Sequence, residues 1–469
     1  MKNETKKLVE EEIKGELPLK DGTVYSRRKG IEPFCASPIK DYVPIVGEEK
    51  VEELQKLAAT LKGVKILEFS STAVGGGVAE MLYSQVSFLN QLELEDEWKV
   101  MSGTEPFYQV TKAIHNLLQG KKGTLTPEMI RRYYSVLKEN ADIYAEDYKS
   151  CSPDVTVVHD SQPLGLARYL KEGNKKWLWR CHVDVEEHTL EANPMLWQFI
   201  TFWANFYDAA VFSGAHYIIG CWPLQKYIIP PFIDPLSAKN KELGADEIAK
   251  VLEKYGIDSG IPLLVQIGRF DPWKGIETSI SAYRIVKREI NCQLIVAGGM
   301  ASDDPEGEII FNQTHEEARG DPDIHVIKLP EYVQVSALEV NALQRAATVI
   351  LQPSIREGFG LVITEAMWKG KPVITREVGA IPIQVTGDET GFFITSAKKA
   401  AKKIIRLLEN PHIAESVGKK AHSYVKEHFL MPDRVADYLR IANYFINGEL
   451  DKSSIISYHP WFKLSKREG

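Results

Sequence analysis

Glu357 and Glu365 stand eight residues apart in SIREGFGLVITEAMWKGKPVI (354–374), with Gly358 and Gly360 between them. A Glu pair at this spacing is ordinarily a solvated face. Here the apolar run ATVILQPS (347–354) reads as a strand and a helix begins near Leu361, so the pair brackets a strand-to-helix turn. Glycines let that turn be sharp, so that Glu357 points into a cleft while the N–H groups of the helix start face the same space. Such a site suits hydroxyls and phosphate together.

In VQIGRFDPWKG, Arg269 and Lys274 follow a strand, and Pro272 and Trp273 stiffen the turn between them. Two cations at one strand's carboxyl end suit a diphosphate, which Arg grips as a planar fork and Lys meets as a point charge. Gly75, Gly76 and Gly77 in STAVGGGVAEML lie between a strand and a helix, where backbone N–H groups approach an anion. The spacing is not GxGxxG, which speaks against a nicotinamide cofactor. His159 and the His182/Asp184 pair of CHVD also follow strands, a position where a histidine is more often a satisfied polar group than a catalyst. Asp303 and Asp304 in SDDPEGE sit with proline and glycine and read as a turn rather than a metal site.

Those residues need a scaffold, and the apolar runs supply one. VKILEFS (64–70), DVTVVHD (154–160), KWLWRCHVD (176–184) and YDAAVFSG (207–214) form one series of strands alternating with helical patterns. After the proline-rich YIIPPFIDPLSAKN (227–240), a second series runs through PLLVQIGRF (262–270), CQLIVAGG (292–299), DIHVIKLP (323–330), ATVILQPS and KPVIT (371–375). The expected architecture is α/β, with two doubly wound Rossmann-like domains facing across a deep cleft where the carboxyl ends of both sheets meet. The boundaries are residues 1–235 and 236–434, with the tail from about 435 to 469 returning to the amino-terminal domain. The charged first fifteen residues carry no readable chemistry.

A length of 469 residues with 44% hydrophobic and 26% charged residues describes an ordinary two-domain globular chain. A net charge of −7 excludes a nucleic-acid surface, and no run approaches the roughly 20 apolar residues that span a bilayer, so the expected location is the cytoplasm. Five scattered cysteines without a CxxC pair suggest neither zinc nor disulfides.

Taken together, GGGVAEML, HNLLQG, WRCHVD, YDAAVFS, IDPLSAKN, GRFDPWKG, MASDDPEGE, EVNALQRA and SIREGFGLVITEA resemble the retaining glycosyltransferases of family 4, in particular their trehalose-forming branch. The resemblance extends over nearly the whole chain and implies the GT-B fold. It implies transfer of an α-glucosyl group from a nucleoside diphosphate glucose to glucose, reversibly, giving α,α-trehalose. Arg269 and Lys274 would then neutralise the donor diphosphate, Glu357 would bind the donor sugar's hydroxyls and Glu365 the ribose. Gly75, Gly76 and Gly77 would cap phosphate and sugar, and the turn Gly358, Phe359, Gly360 and Leu361 would complete the donor site. His182 and Asp184 would face the transferred sugar, with His159, Asp160 and Gln162 on the acceptor side. The implied partners are small sugars and a nucleotide sugar, with no cofactor, metal, nucleic acid or membrane; a homodimer stays open, as does the donor's base. Two departures are Ser161, where the family has proline, and Ala380, where a second glycine is usual. A trehalose phosphorylase, a family 4 enzyme with another acceptor, and a non-catalytic sugar sensor are the alternatives.

Overall fold

A computed structural model describes residues 36–73, 76–185, 189–218, 224–299, 306–330 and 333–448. Gly75, Asp303, Asp304, Cys35, Cys221 and the YHPWFK tail lie outside the described residues.

Among the described residues, twelve strands divide between two sheets. The first holds β1 (Lys65–Ser70), β2 (Glu95–Val100), β3 (Val155–His159), β4 (Lys176–Cys181), β5 (Ala209–Phe212) and β6 (Gln225–Ile228). The second holds β7 (Leu263–Ile267), β8 (Gln293–Gly298), β9 (Ile324–Lys328), β10 (Val349–Gln352), β11 (Val373–Thr375) and β12 (Phe392–Phe393). Every pairing is parallel. Central strands such as β3, β5, β7 and β10 are buried along their whole length, because helices cover both faces of a parallel sheet and leave no polar side.

β2 and β6 carry no continuous apolar run and β12 is only two residues long; all three lie at sheet edges. β2, EDEWKV, alternates exposed and buried positions because only one side of an edge strand is fully packed.

The strand order is β2-β1-β3-β4-β5-β6 in one sheet and β12-β11-β10-β7-β8-β9 in the other. The winding therefore reverses between β1 and β3, and again between β7 and β10. Loops leaving the two strands on either side of such a reversal diverge and open a crevice at their carboxyl ends. The two crevices face each other and form one cleft of about 970 Å³.

Among the described residues the chain crosses between the halves twice, side by side. Ile233 N–H donates to the Phe429 carbonyl at 3.0 Å, and Met431 N–H donates to the Ile233 carbonyl at 3.0 Å. Beyond the second crossing, the helix Met431–Asn447 buries Val435, Leu439 and Ala442 against Leu54, Ala58 and Phe88 of the first half. Its polar side is tied to the helix Glu48–Ala59 by Lys50–Asp433 at 2.9 Å and Arg440–Glu53 at 2.7 Å. The helix Met431–Asn447 thus packs on the amino-terminal half. No helix among the described residues is long and apolar enough to cross a membrane.

Candidate active site

The loop after β7 carries the cations. Asp271 caps the short 3-10 turn Pro272–Lys274 by accepting from the Trp273 N–H at 2.8 Å, and Trp273 O accepts from the Ile355 N–H at 2.7 Å. The β7 and β10 loops are thereby stitched across the reversal, which brings Lys274 Nζ to 2.6 Å from Glu357 Oε2. The same oxygen accepts from Ser354 Oγ at 3.1 Å and lies 3.5 Å from Gln352 Nε2. Arg269 lines the same cleft. Burial would raise the Asp271 carboxyl, but Lys112, Arg269, Lys274 and the Trp273 amide outweigh it and hold it below its ordinary value.

The two glycines of the Glu357 turn are needed for different reasons. Gly360 has φ +87°, the left-handed conformation that a side chain resists, and precedes the helix Leu361–Trp368. Gly358 is required by proximity, since a Cβ there would meet the His182 carbonyl oxygen at 2.4 Å. The halves touch at this point. Tyr217 OH adds a second tie by donating to the Gly358 carbonyl at 2.7 Å. Phe359 turns its ring onto Phe429, centroids 5.6 Å apart, so it props the turn.

Glu365 is fully buried inside its helix. Lys239 Nζ stands 3.1 Å from it and 2.6 Å from Glu80, which begins the helix Gly77–Gln91 across the cleft. Burial raises the Glu80 carboxyl to about 7 against the pull of Lys239, with Glu365 raising it further. Glu365 goes the other way, because Lys239, Lys369 and a hydrogen bond from Glu80 overcome its burial. A proton shared by the two carboxyls therefore favours Glu80 over Glu365. Gly76 and Gly77 line the cleft nearby, and a Cβ on Gly77 would meet Leu361 Cδ1 at 3.0 Å.

On the opposite wall, His159 ends β3 and His182 follows β4. Asp160 adopts φ +62° and accepts the His182 N–H on Oδ1 at 2.6 Å, so one oxygen of this carboxylate holds backbone. Asp184 accepts a short hydrogen bond from Gln119 Nε2. Burial, with a contribution from Glu357, raises the Asp184 carboxyl to about 6, although Gln119 and Arg356 pull it down. The amide oxygens of Gln119 and Gln162 are buried with no hydrogen-bond partner among the described residues. Both residues line the cleft. Ser161 is buried, with its carbonyl accepting from Tyr133 OH at 2.7 Å, and Ala380 is fully buried.

Every described residue expected at the site from sequence therefore lines one cleft: Gly76, Gly77, His159, Asp160, Gln162, His182, Asp184, Arg269, Lys274, Glu357, Gly358, Phe359, Gly360, Leu361 and Glu365. Sequence reasoning missed Glu68, Glu80, Lys112, Gln119 and Lys239. A signal existed for Glu68, a carboxylate inside the otherwise apolar run KILEFS. Among the described residues no cluster of three or more His, Cys, Asp or Glu could hold a metal ion.

Comparison with known proteins places this geometry. The family described as trehalose synthase, N-terminal domain, matches residues 68–219, and glycosyl transferases group 1 matches residues 247–424. A trehalose synthase of Pyrococcus horikoshii is 43% identical over 411 residues, covering 86% of this chain and 96% of that protein. One from Rubrobacter xylanophilus is 40% identical over 408 residues, covering 86% and 96%. Among solved structures, a sucrose-phosphate synthase of Thermosynechococcus elongatus superimposes with a TM-score of 0.65 at 18% identity, over 82% of this chain and 100% of that one, which shows a shared fold. With two facing Rossmann-like sheets and a cleft built from both, the protein is a GT-B glycosyltransferase, and the chain belongs to the trehalose synthase family.

Proposed function

We propose that the chain moves an α-glucosyl group from a nucleoside diphosphate glucose to the anomeric hydroxyl of glucose with retention, giving α,α-trehalose. The observation that carries this reading is the Lys274–Glu357 pair at 2.6 Å, set where β7 and β10 diverge and joined there by Arg269. A cation and a carboxylate on one spot match a ligand that is anionic at one end and hydroxylated at the other. The names of the similar proteins, trehalose synthases, supply the sugar.

Charge on the leaving group is the main lever. As the bond from the glucosyl C1 to the diphosphate oxygen breaks, Arg269 and Lys274 stabilise the developing anion, and a cleft closed to water strengthens their field. The acceptor hydroxyl attacks the same face, forms the new C1–O bond and passes its proton to the departing phosphate oxygen. Glu357 orients the donor sugar, and Glu365 the ribose. Gln119 and Gln162, whose amide oxygens have no hydrogen-bond partner among the described residues, take acceptor hydroxyls together with Asp184. A double displacement would need a carboxylate nucleophile. Glu357 is tied to Lys274, and Asp184 to Gln119, which favours the front-face path. A covalent glucosyl adduct on either residue would sink that path.

The test is an NMR time course of the protein with free glucose and, in separate tubes, UDP-, ADP- and GDP-glucose, all with EDTA. An α,α-linked disaccharide in any tube supports the reading and names the base. Turnover only with phosphate and trehalose, or with another acceptor, refutes it.

A further inference from the structure

A file of hydrogen bonds runs from the core of the first sheet to the cleft, and the reaction above makes no use of its inner members. Gln85 Nε2 donates to Glu68 Oε1 at 2.9 Å. Glu68 Oε2 lies 2.7 Å from His159 Nε2, and His159 Nδ1 lies 3.0 Å from His182 Nε2. The two imidazoles are near-parallel, 11° apart, with centroids 5.3 Å apart. Glu68, Gln85 and His159 are buried, whereas His182 is half-buried at the cleft wall. Three adjacent strands fix the file: Glu68 sits within β1, His159 ends β3, and His182 follows β4, its backbone pinned by Asp160.

Proton counting leaves two arrangements. A neutral imidazole has one N–H and one bare nitrogen. With Glu68 ionised, His159 Nε2–H donates to it, His159 Nδ1 is bare and accepts from His182 Nε2–H, and His182 Nδ1 is left bare. With Glu68 protonated, its O–H donates to His159 Nε2, His159 Nδ1–H donates to His182 Nε2, and His182 Nδ1 carries the hydrogen. One proton at the buried end reverses both hydrogen bonds between Glu68 and His182, while Gln85 donates throughout.

We propose that Glu68, acting through His159, sets the tautomer of His182, and so decides whether His182 Nδ1 accepts from a hydroxyl in the cleft or donates to an oxygen there. Glu68 and His159 are positioning residues, and the identity of the cleft's ligand as a sugar rests on the reaction proposed above. The surroundings suit the switch. Burial raises the Glu68 carboxyl to about 8, against Gln85 and the Arg180 guanidinium. Burial also keeps both imidazoles neutral: it lowers His159 to about 3, helped by Arg180 and opposed by Asp160, and lowers His182 with help from Arg180 and His159. Among the described residues, Asp96 and Tyr438 also act on or feel Glu68, and burial raises both the Asp96 carboxyl and the Tyr438 phenol. Arg180 is itself anchored, donating to the Phe212 carbonyl at 3.4 Å and to the Ile229 carbonyl.

The experiment is 15N NMR of the full chain labelled at its 11 histidines, with His182 assigned from the signals lost in His182→Gln, over two units either side of about pH 8. In the native chain His182 Nδ1 should pass from the pyrrole-like to the pyridine-like range as pH rises. In Glu68→Gln an amide N–H replaces the carboxyl proton permanently, and the passage should vanish. A His182 tautomer that still switches in Glu68→Gln overturns the proposal. Should that variant not fold, a native His182 that keeps one tautomer across the range overturns it equally. Neither readout needs turnover, so a chain that switches without making disaccharide refutes the reaction and leaves this inference intact.

Discussion

Replacing Lys274 by Met removes the charge and keeps most of the apolar stem, so it isolates what the ammonium contributes. Two losses follow, and they separate. The first is structural: Lys274 and Glu357 side chains retain only 16% and 10% exposure, and without the lysine the Glu357 carboxylate keeps, among the described residues, Ser354 at 3.1 Å and Gln352 at 3.5 Å. Breaking a buried pair on one side costs ~3–5 kcal/mol, and partial solvation here reduces that to about 2 kcal/mol of stability. The second is catalytic: losing a preorganised donor to developing charge costs roughly 100- to 1000-fold in kcat, or about 2.7–4 kcal/mol. The double variant Lys274→Met/Glu357→Gln separates them, because a neutral amide no longer needs the ammonium. Denaturant unfolding of the two single variants and the double should show stability largely restored in the double. Single-turnover transfer with saturating nucleotide sugar should show the double well below Glu357→Gln alone, the reference that shares its loss of the donor-sugar carboxylate. If the double matches Glu357→Gln, or if Lys274→Met turns over within about threefold of the native rate, then the lysine only props Glu357 and its assignment to the diphosphate is wrong.

Other consequences follow from the same geometry. The folded Glu80 carboxyl binds a proton between its ordinary value of 4.5 and about 7 that the unfolded chain has released, so stability contributed there is complete below 4.5 and is lost as pH rises through about 7. Glu80→Gln, which keeps a donor for Glu365, should match the native chain at low pH and gain on it above about 7; an unfolding midpoint difference that is flat with pH would refute the shared proton. Gly358→Ala drives a Cβ into the His182 carbonyl, a backbone atom that no rotamer change relieves, and should cost ~1–3 kcal/mol together with reduced kcat. Unchanged turnover would mean that the halves need not meet there. Gln119→Ala should raise KM for the acceptor about fivefold to tenfold, the worth of roughly one hydrogen bond, while leaving KM for the donor unchanged. It should also raise the Asp184 carboxyl above about 6, since Gln119 pulls it down; equal shifts in both KM values would move Gln119 off the acceptor side.

Much of the scaffold was legible locally, and the reason is burial. A strand covered on both faces, such as LLVQI or VILQ, writes an uninterrupted apolar run that needs no partner to be recognised. The edge strands EDEWKV, QKYI and FF, half exposed or very short, leave no such trace. At the site, turn chemistry was equally readable: Gly-Phe-Gly before Leu361 and the Arg269–Lys274 loop show from residue type alone where the backbone bends and where cations cluster.

The partners were another matter. Glu68 meets His159 across 91 positions, Lys239 meets Glu80 across 159, and Tyr217 reaches Gly358 across 141. No period of 2 or 3.6 residues carries such information, because it depends on which strands lie side by side. The sequence determined two series of parallel strands, a proline-marked crossing and a set of anion- and hydroxyl-binding residues at strand ends. Only the tertiary structure decided that the winding reverses between β1 and β3 and between β7 and β10, and hence that those strand ends open towards one another. Strand order is settled by long-range packing of helices over the sheets, and the cleft follows from that order.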